Sequence, residues 1–314
     1  MRTRPVTRFL LLGLTLGLVV ATAVFCLYLT ADGRSDAYYL RFTSPRQQSL
    51  ILGTSRAAQG IQPAVINDML GRDDVYNFSF TVGTSPYGEA YGELIQRKLA
   101  PPDGRPDLFI LAVDPWSLSV SCASGPDTLC LEERDRFTGQ LRRVASRPNL
   151  EYLYHYYDDP LYRIAWPASY SMEVQADGWL RVDLPMTQEA REANRIAKVE
   201  VYRRHARNWR LSPHRIRGLL ELISSLRERG EVYLVRLPVD RLMMDIENDY
   251  APGFADSLRS WSAKTATPLL DLTPNNPSYE TLDGHHLEQA SGRRASRAIA
   301  EFILRNRDPG RLLQ

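Results

Sequence analysis

Short apolar runs alternate with longer amphipathic segments along residues 48–115 and 213–306. After the N-terminal region, the most continuously apolar run is 107–113, which follows a turn-forming segment rich in proline. Apolar runs of this length, bounded by glycine or proline, are typical of buried strands. The pattern therefore predicts strands, in chain order, at 49–53, 75–80, 107–113, 231–237 and 268–272.

Segments with helical periodicity lie between these strands. We predict helices at 63–70, 86–99, 213–229 and 288–305. Pro63 suits the first turn of a helix, and Gly230 has the position of a helix C-cap. Strands that alternate with helices predict an α/β fold with a parallel sheet covered on both faces.

Residues 116–212 interrupt this alternation and are too long for a plain crossover, so we predict a partly helical insertion. Among its aromatic residues are Tyr152, Tyr154, Tyr156, Tyr157, Tyr162, Trp166, Tyr170, Trp179 and Trp209. This density favours a packed core over a ligand platform. An insertion at the carboxyl edge of a parallel sheet would nonetheless border the usual ligand crevice.

An uncharged apolar run extends from Phe9 to about Thr30, long enough to cross a hydrocarbon core of about 30 Å. Its charged flanks are Arg2, Arg4 and Arg8 before it and Asp32 and Asp36 after it. By the positive-inside rule, residues 1–30 form a cytoplasmic tip and a single-pass anchor in a bacterial-type cytoplasmic membrane. Residues 31–47 would be a linker, and the main domain, 48–314, would be extracytoplasmic. A cleaved signal peptide is the alternative, because Ala21-Thr22-Ala23 resembles a cleavage site.

The formal net charge is only +2, with basic residues scattered among acids. This balance does not indicate nucleic acid as a partner. Of the three cysteines, Cys26 lies in the apolar run, whereas Cys122 and Cys130 flank a turn-rich segment. In an oxidising compartment these two could close a short disulfide loop. No further cysteine or nearby histidine completes a tetrahedral metal site, so we expect no metal.

Two short segments carry candidate chemistry. Gly53-Thr54-Ser55-Arg56 follows the first predicted strand, so the Ser55 hydroxyl would lie at the carboxyl edge of the sheet. Asp283-Gly284-His285-His286 precedes the last predicted helix. An acid three residues before a histidine can orient the imidazole and stabilise its positive charge. Ser55, His286 and Asp283 are therefore candidates for nucleophile, general base and orienting acid.

A third segment, Val82-Gly83-Thr84, follows the second predicted strand. A glycine allows the backbone to approach a ligand closely, and the Gly83 N–H could stabilise a developing oxyanion. A simple turn between strand and helix explains the same residues equally well.

Serine after the first strand, glycine after the second and Asp-x-x-His before the last helix together resemble the SGNH (GDSL-type) hydrolase family. The resemblance covers residues 48–115 and 213–306 and implies a flavodoxin-like three-layer fold. It also implies a Ser55, Asp283 and His286 triad, with Gly83 as an oxyanion donor and no cofactor.

The chain departs from the family pattern at two positions. Thr54 replaces the usual aspartate before the nucleophile, and Asp114 stands where the family's third block has an oxyanion-binding asparagine. An ionised carboxylate cannot donate a hydrogen bond. Arg56 is therefore a candidate substitute donor.

These departures, combined with the anchor, resemble the SGNH-like proteins of cell-envelope O-acylation, such as the D-alanyl-lipoteichoic acid biosynthesis protein and the alginate acetylation proteins. That resemblance implies an O-acyltransferase or esterase acting on an envelope glycan or glycolipid, with a membrane-bound O-acyltransferase as partner. An inactive envelope scaffold or glycan-binding protein is the alternative. A peptidase-like or lipase-like hydrolase is less favoured, since no Gly-x-Ser-x-Gly surrounds Ser55.

Overall fold

A parallel sheet forms the centre of the fold. The computed structural model describes residues 3–167, 171–184 and 187–307, so Tyr170 of the aromatic insertion lies outside the described residues. The strands are β1 Ser49–Leu52, β2 Val75–Asn77, β3 Asp107–Ala112, β4 Ser119–Val120, β5 Met172–Val174, β6 Leu180–Val182, β7 Arg210–Leu211, β8 Gly230–Arg236 and β9 Leu269–Asp271.

Five of these strands pair in parallel in the order β2-β1-β3-β8-β9. Counted within the sheet, this is the 2-1-3-4-5 order of flavodoxin-like folds, and the order reverses at β1 and β3. Ile51 of β1 lies opposite both Asn77 of β2 and Ile110 of β3. The α/β prediction with a parallel sheet is confirmed.

Helices cover both faces of the sheet. The α-helices of the described residues are α1 Thr3–Leu29, which does not cover the sheet, α2 Tyr39–Thr43, α3 Ser55–Gly60, α4 Pro63–Leu70, α5 Glu89–Lys98, α6 Phe137–Gln140, α7 Leu150–His155, α8 Tyr162–Ala165, α9 Gln188–Asn208, α10 Pro213–Arg227, α11 Arg241–Tyr250, α12 Phe254–Thr265 and α13 Gln289–Arg307. Alternate residues of β1 and β3 point to opposite faces. Leu50 and Phe109 pack with α5 and α10, whereas Ile51 and Ile110 pack with α4 and α13.

Gly230 is not the helix cap that the sequence suggested. The helix α10 ends at Arg227, and Gly230 is the first residue of β8, opposite Asp107 of β3. A Cβ atom at this position would collide with the Asp107 backbone. Glycine is required here because β8 and β3 approach closely. A glycine after a helical segment looks the same in the sequence whether it caps the helix or begins the next strand.

The segment 31–47 is not merely the linker that its polarity suggested. It contains α2, in which Tyr39, Arg41 and Phe42 are buried. Arg41 donates from Nη2 to the Gly178 carbonyl at 2.7 Å, and Phe42 belongs to the main core cluster. The hydrogen bonds of the buried guanidinium explain why a polar segment packs inside the domain.

The insertion combines two small sheets with α6 to α9. β4 pairs with β7, and β5 pairs with β6 in a hairpin that contacts α3. The indole of Trp179 donates to the Gln59 carbonyl of α3 at 2.8 Å. Tyr152 is buried in the main core, whereas Trp166 is 75% exposed, so only some of the aromatic residues of the insertion pack in the core.

Cys122 and Cys130 form a disulfide with a Cα–Cα distance of 6.1 Å. Asp127, inside the closed loop, accepts hydrogen bonds from the Ser212 hydroxyl and the His214 N–H at the start of α10. The loop therefore fastens the insertion to the helical layer.

The N-terminal helix α1 has 27 residues and is about 40 Å long. It is apolar from Arg4 to Leu29, and its most hydrophobic window is not buried against the rest of the protein. It is long and apolar enough to cross a membrane. Cys26 lies on this helix and is a free thiol.

Candidate active site

Ser55 stands at the sharp turn between β1 and α3. Gly53 opens the turn at φ 147°, and a Cβ there would lie 3.0 Å from the Ala112 carbonyl oxygen of β3. Only glycine tolerates this combination of backbone conformation and close approach. Because α3 begins at Ser55, the serine lies at the carboxyl edge of the sheet, where the strand order reverses.

The structure brings Ser55, His286 and Asp283 into one hydrogen-bonded chain. His286 Nε2 lies 2.9 Å from Ser55 Oγ, and His286 Nδ1 lies 2.9 Å from Asp283 Oδ2. Asp283 Oδ1 also accepts the backbone N–H groups of His285 and His286, at 3.0 and 2.9 Å. The Asp283 carboxylate can only accept a hydrogen bond, so the neutral imidazole of His286 carries its proton on Nδ1. The Nε2 atom can then accept a hydrogen bond from the Ser55 hydroxyl.

Asp283 is held as a carboxylate. Burial alone would raise its pKa, but the hydrogen bonds and charge of His286 and the charge of Lys198 outweigh burial and lower that pKa well below its usual range. Lys198 Nζ of α9 lies 3.4 Å from Asp283 Oδ2. The insertion therefore contributes a cation to the candidate triad.

Arg56, which follows Ser55 in sequence, contacts His285, which precedes His286. Arg56 Nη2 lies 3.0 Å from His285 Nδ1, and both side chains are buried. Burial and the Arg56 charge lower the pKa of His285 well below its usual value. Arginine only donates, and its shortest contact with the ring is at Nδ1, so we assign the proton of neutral His285 to Nε2, which lies 2.8 Å from the Tyr202 hydroxyl oxygen.

Glu247 of α11 is the principal counterion of this buried cluster. Its carboxylate accepts from Arg56 Nη2 at 2.5 Å, from the Trp116 indole at 3.0 Å and from Arg236 Nη2 at 3.2 Å. Burial lowers the pKa of Arg56, but the negative charges of Glu247 and Asp114 raise this pKa by more than burial lowers it. The guanidinium is therefore charged. The positive charges of Arg56 and Arg236 are therefore balanced by the negative charges of Glu247 and Asp114 beneath the triad.

Asp114 belongs to this balance and lies at the end of β3. Its Oδ2 is 3.9 Å from Arg56 Nη1, and its Oδ1 accepts the Ser117 N–H at 2.9 Å. Burial raises the pKa of Asp114, and the Arg56 charge opposes that rise. Arg56 Nη1 is buried and has no hydrogen-bond partner among the described residues. The N–H groups of this nitrogen therefore donate no hydrogen bond there.

Gly83 lies in the turn that follows β2, next to the Ser55 turn. The Ser85 hydroxyl donates to the Gly53 carbonyl at 2.7 Å, and the Phe80 N–H donates to the same carbonyl at 3.4 Å, so both bonds connect the two segments. A Cβ at Gly83 would meet only the Thr81 hydroxyl, at 4.0 Å, so packing does not demand glycine there. The role of Gly83 as an oxyanion donor stays a prediction.

Tyr202, Lys198 and Glu247 also belong to the site, although no sequence motif marks them. Lys198 and Tyr202 lie four residues apart on α9 inside the insertion, and Glu247 lies on a helix that was not predicted. An acidic residue on α11 has no local signal that marks it as buried, because its partners are up to 191 residues away in sequence.

Among residues 3–167, 171–184 and 187–307, no group of three or more His, Cys, Asp and Glu side chains is arranged to hold a metal ion. Searches with this sequence find no matching protein-family model and no matching curated protein. The chemistry that this site can perform therefore has to be inferred from its geometry.

Proposed function

We propose that this chain is a serine-dependent O-acyltransferase or esterase of the SGNH (GDSL-type) hydrolase kind. The observation that carries the proposal is the relay in which His286 lies 2.9 Å from both Ser55 Oγ and Asp283 Oδ2. These distances meet the requirement for a nucleophile, a base and an orienting acid.

In the proposed reaction, Ser55 Oγ attacks the carbonyl carbon of an acyl ester while His286 Nε2 takes the serine proton. The tetrahedral intermediate collapses, the bond to the leaving alcohol breaks, and His286 returns the proton to that alcohol. A sugar hydroxyl or water then attacks the carbonyl carbon of acyl-Ser55 while His286 takes its proton. The bond between that carbon and Ser55 Oγ breaks, and His286 returns the proton to Ser55 Oγ. Asp283 stays ionised throughout and stabilises the imidazolium.

The proposed setting is the outer surface of a cytoplasmic membrane, with α1 as a single-pass anchor and its N-terminus inside. Arg4 and Arg8 before the apolar run support this orientation. α1 contacts α8, and the exposed aromatics Tyr154, Tyr162 and Trp166 lie on or beside α7 and α8. Such side chains prefer the level of lipid headgroups. We propose an envelope glycan or glycolipid as substrate and a membrane-bound O-acyltransferase as partner.

A non-catalytic scaffold that binds an envelope glycan is the second candidate function. Asp114 favours it, because a carboxylate paired with Arg56 cannot donate to an oxyanion as an asparagine would. The two candidates differ in whether Ser55 is reactive.

Reaction of the full chain in membranes with a fluorophosphonate probe distinguishes them. We expect the probe to label Ser55, and labelling to fall to background in Ser55→Ala and His286→Ala. Ser260→Ala, an exposed serine on α12, is the matched control and should label normally. A folded wild-type chain that is never labelled would reject the enzyme and favour the scaffold.

A further inference from the structure

An open cleft of about 390 Å³ lies beside the candidate triad, with His286 and Asp283 in its wall. This volume falls in the range of small-molecule sites. Most of the remaining wall is apolar. The apolar residues are Met172, Val182, Leu184, Ala197, Val201 and Leu282.

The insertion builds most of this wall. Met172 and Val182 come from the β5–β6 hairpin, and Ala197 and Val201 come from α9. Asn194, Ala197, Lys198 and Val201 follow the i, i+3, i+4, i+7 spacing, so α9 turns one continuous face toward the cleft. The parallel sheet and its helices alone would leave His286 without this wall.

Several of the apolar side chains in the wall are unusually accessible. Met172 is 47% exposed, Leu184 is 41% exposed and Val201 is 39% exposed. Single exposed apolar residues are ordinary, but a group of them around one cleft marks a ligand site. The group adjoins His286, and the Nε2 atom of this proposed general base lies 2.9 Å from Ser55 Oγ.

We propose that this cleft binds the hydrocarbon chain of a medium-chain acyl group, so that the preferred acyl donor is longer than acetate. The inference rests on the proposed function, since it assigns the chain to the acyl group that Ser55 would accept. An acetyl group offers a single methyl group to this apolar wall, whereas a longer acyl chain could contact several of its residues. Each further methylene that leaves water should strengthen binding about fourfold.

The first test is hydrolysis of p-nitrophenyl acetate and p-nitrophenyl hexanoate by the full chain in nanodiscs. We expect kcat/KM to favour hexanoate by at least about tenfold, and Val201→Trp, which fills the cleft, to reduce the hexanoate-to-acetate ratio by at least about tenfold. Ile196→Trp is the matched control, because Ile196 lies on the same helix, is 59% exposed and does not line the cleft. A wild-type preference for acetate, or an equal effect of both tryptophans, would overturn the inference.

The second test does not need turnover. Octanoate bearing a diazirine is photo-crosslinked to the full chain in nanodiscs, and the modified peptides are mapped by mass spectrometry. We expect crosslinks on residues 171–184 and 194–201 that persist in Ser55→Ala and disappear in Val201→Trp. Ester hydrolysis without these crosslinks would reject the cleft assignment alone. These crosslinks in a chain that neither hydrolyses esters nor reacts with fluorophosphonate would reject the proposed function but support chain binding, and absence of both would reject both.

Discussion

The Asp114 carboxylate lies 3.9 Å from the Arg56 guanidinium, and both side chains are buried beneath the turn that carries Ser55. The charges of Asp114 and Arg56 are therefore coupled. Arg56 already has Glu247 as a partner, but Arg236 shares that carboxylate. Asp114 supplies the second negative charge that two buried arginines require.

Replacement of Asp114 by asparagine isolates this charge, because the amide oxygen can still accept the Ser117 N–H. We expect Asp114→Asn to lower the free energy of unfolding by only about 1 kcal/mol, because the burial that raises the pKa of Asp114 offsets much of what its charge contributes beside Arg56. Denaturant unfolding followed by tryptophan fluorescence measures the effect. Asp249→Asn, an exposed aspartate on α11, should change stability by less than about 0.5 kcal/mol. Equal stability of Asp114→Asn and wild type would mean that Arg56 does not need this charge.

His285 should make the stability of the protein depend on pH. Its pKa is lowered by burial and by the charge of Arg56. Below the unfolded pKa, the unfolded chain therefore binds a proton at His285 that the native state does not bind. Stability is then fully present above the unfolded pKa of about 6.5 and falls as pH decreases below it, by up to about 1.4 kcal/mol per pH unit. His285→Gln should remove this slope, because glutamine can accept from Arg56 and donate to Tyr202 without titrating.

The measurement compares unfolding free energies of wild type and His285→Gln at about pH 7.5 and about pH 5.5, a window set by the histidine reference pKa. His286 is unchanged in both proteins. His155→Gln, an exposed histidine at the end of α7, should keep the wild-type slope. A slope that survives in His285→Gln would assign the pH dependence to another group.

Asp283→Asn should affect both catalysis and acid stability. Loss of the carboxylate favours the wrong His286 tautomer, so we expect kcat for ester hydrolysis to fall about 10⁴-fold. The lowered pKa of Asp283 means that its stabilising contribution is present above the unfolded pKa of about 3.9 and is lost as pH falls below that value. The variant should thus be less stable than wild type at neutral pH, with the difference narrowing below about pH 4.

Ester turnover and acid titration of unfolding test these two effects separately. Asp245→Asn, exposed on α11, is the matched substitution and should leave both unchanged. Retention of full turnover in Asp283→Asn would remove Asp283 from the proposed mechanism.

The disulfide should stabilise the start of α10 through Asp127. Cys122→Ser with Cys130→Ser should lower the free energy of unfolding by about 2–3 kcal/mol. It should also speed hydrogen exchange at His214, whose N–H is held by Asp127 inside the loop. Cys26→Ser, on α1, should do neither. Unchanged exchange at His214 in the double variant would show that Asp127 holds its place without the crosslink.

Local patterns predicted the fold better than the surroundings of the site. The predicted helix 63–70 coincides with α4 because Pro63 and Gly71 mark both of its ends. The strands were found from their apolar runs, although β2 ends at Asn77, earlier than predicted, where the alternating pattern continues into a loop. The positions of these helices and strands depend on residues close together in sequence, so the spacing of apolar residues along the chain predicts them.

The charged cluster could not be predicted in the same way. Arg56 meets Glu247 and His285 across 191 and 229 residues, and Tyr202 reaches His285 from the insertion. A sequence pattern does not state which distant helix supplies a counterion. Asp-x-x-His was recognisable because its hydrogen bonds lie within one turn of the chain.

The contact between Arg56 and His285 also bears on when the protein becomes competent during its synthesis. Translation proceeds from the N-terminus, so the β1 strand and Ser55 exist long before residues 283–286 leave the ribosome. The cation at Arg56 then lacks Glu247 and His285, and the serine lacks its base. A nascent chain would therefore lack the Ser55, His286 and Asp283 relay until residues 283–286 have joined the carboxyl edge of the sheet.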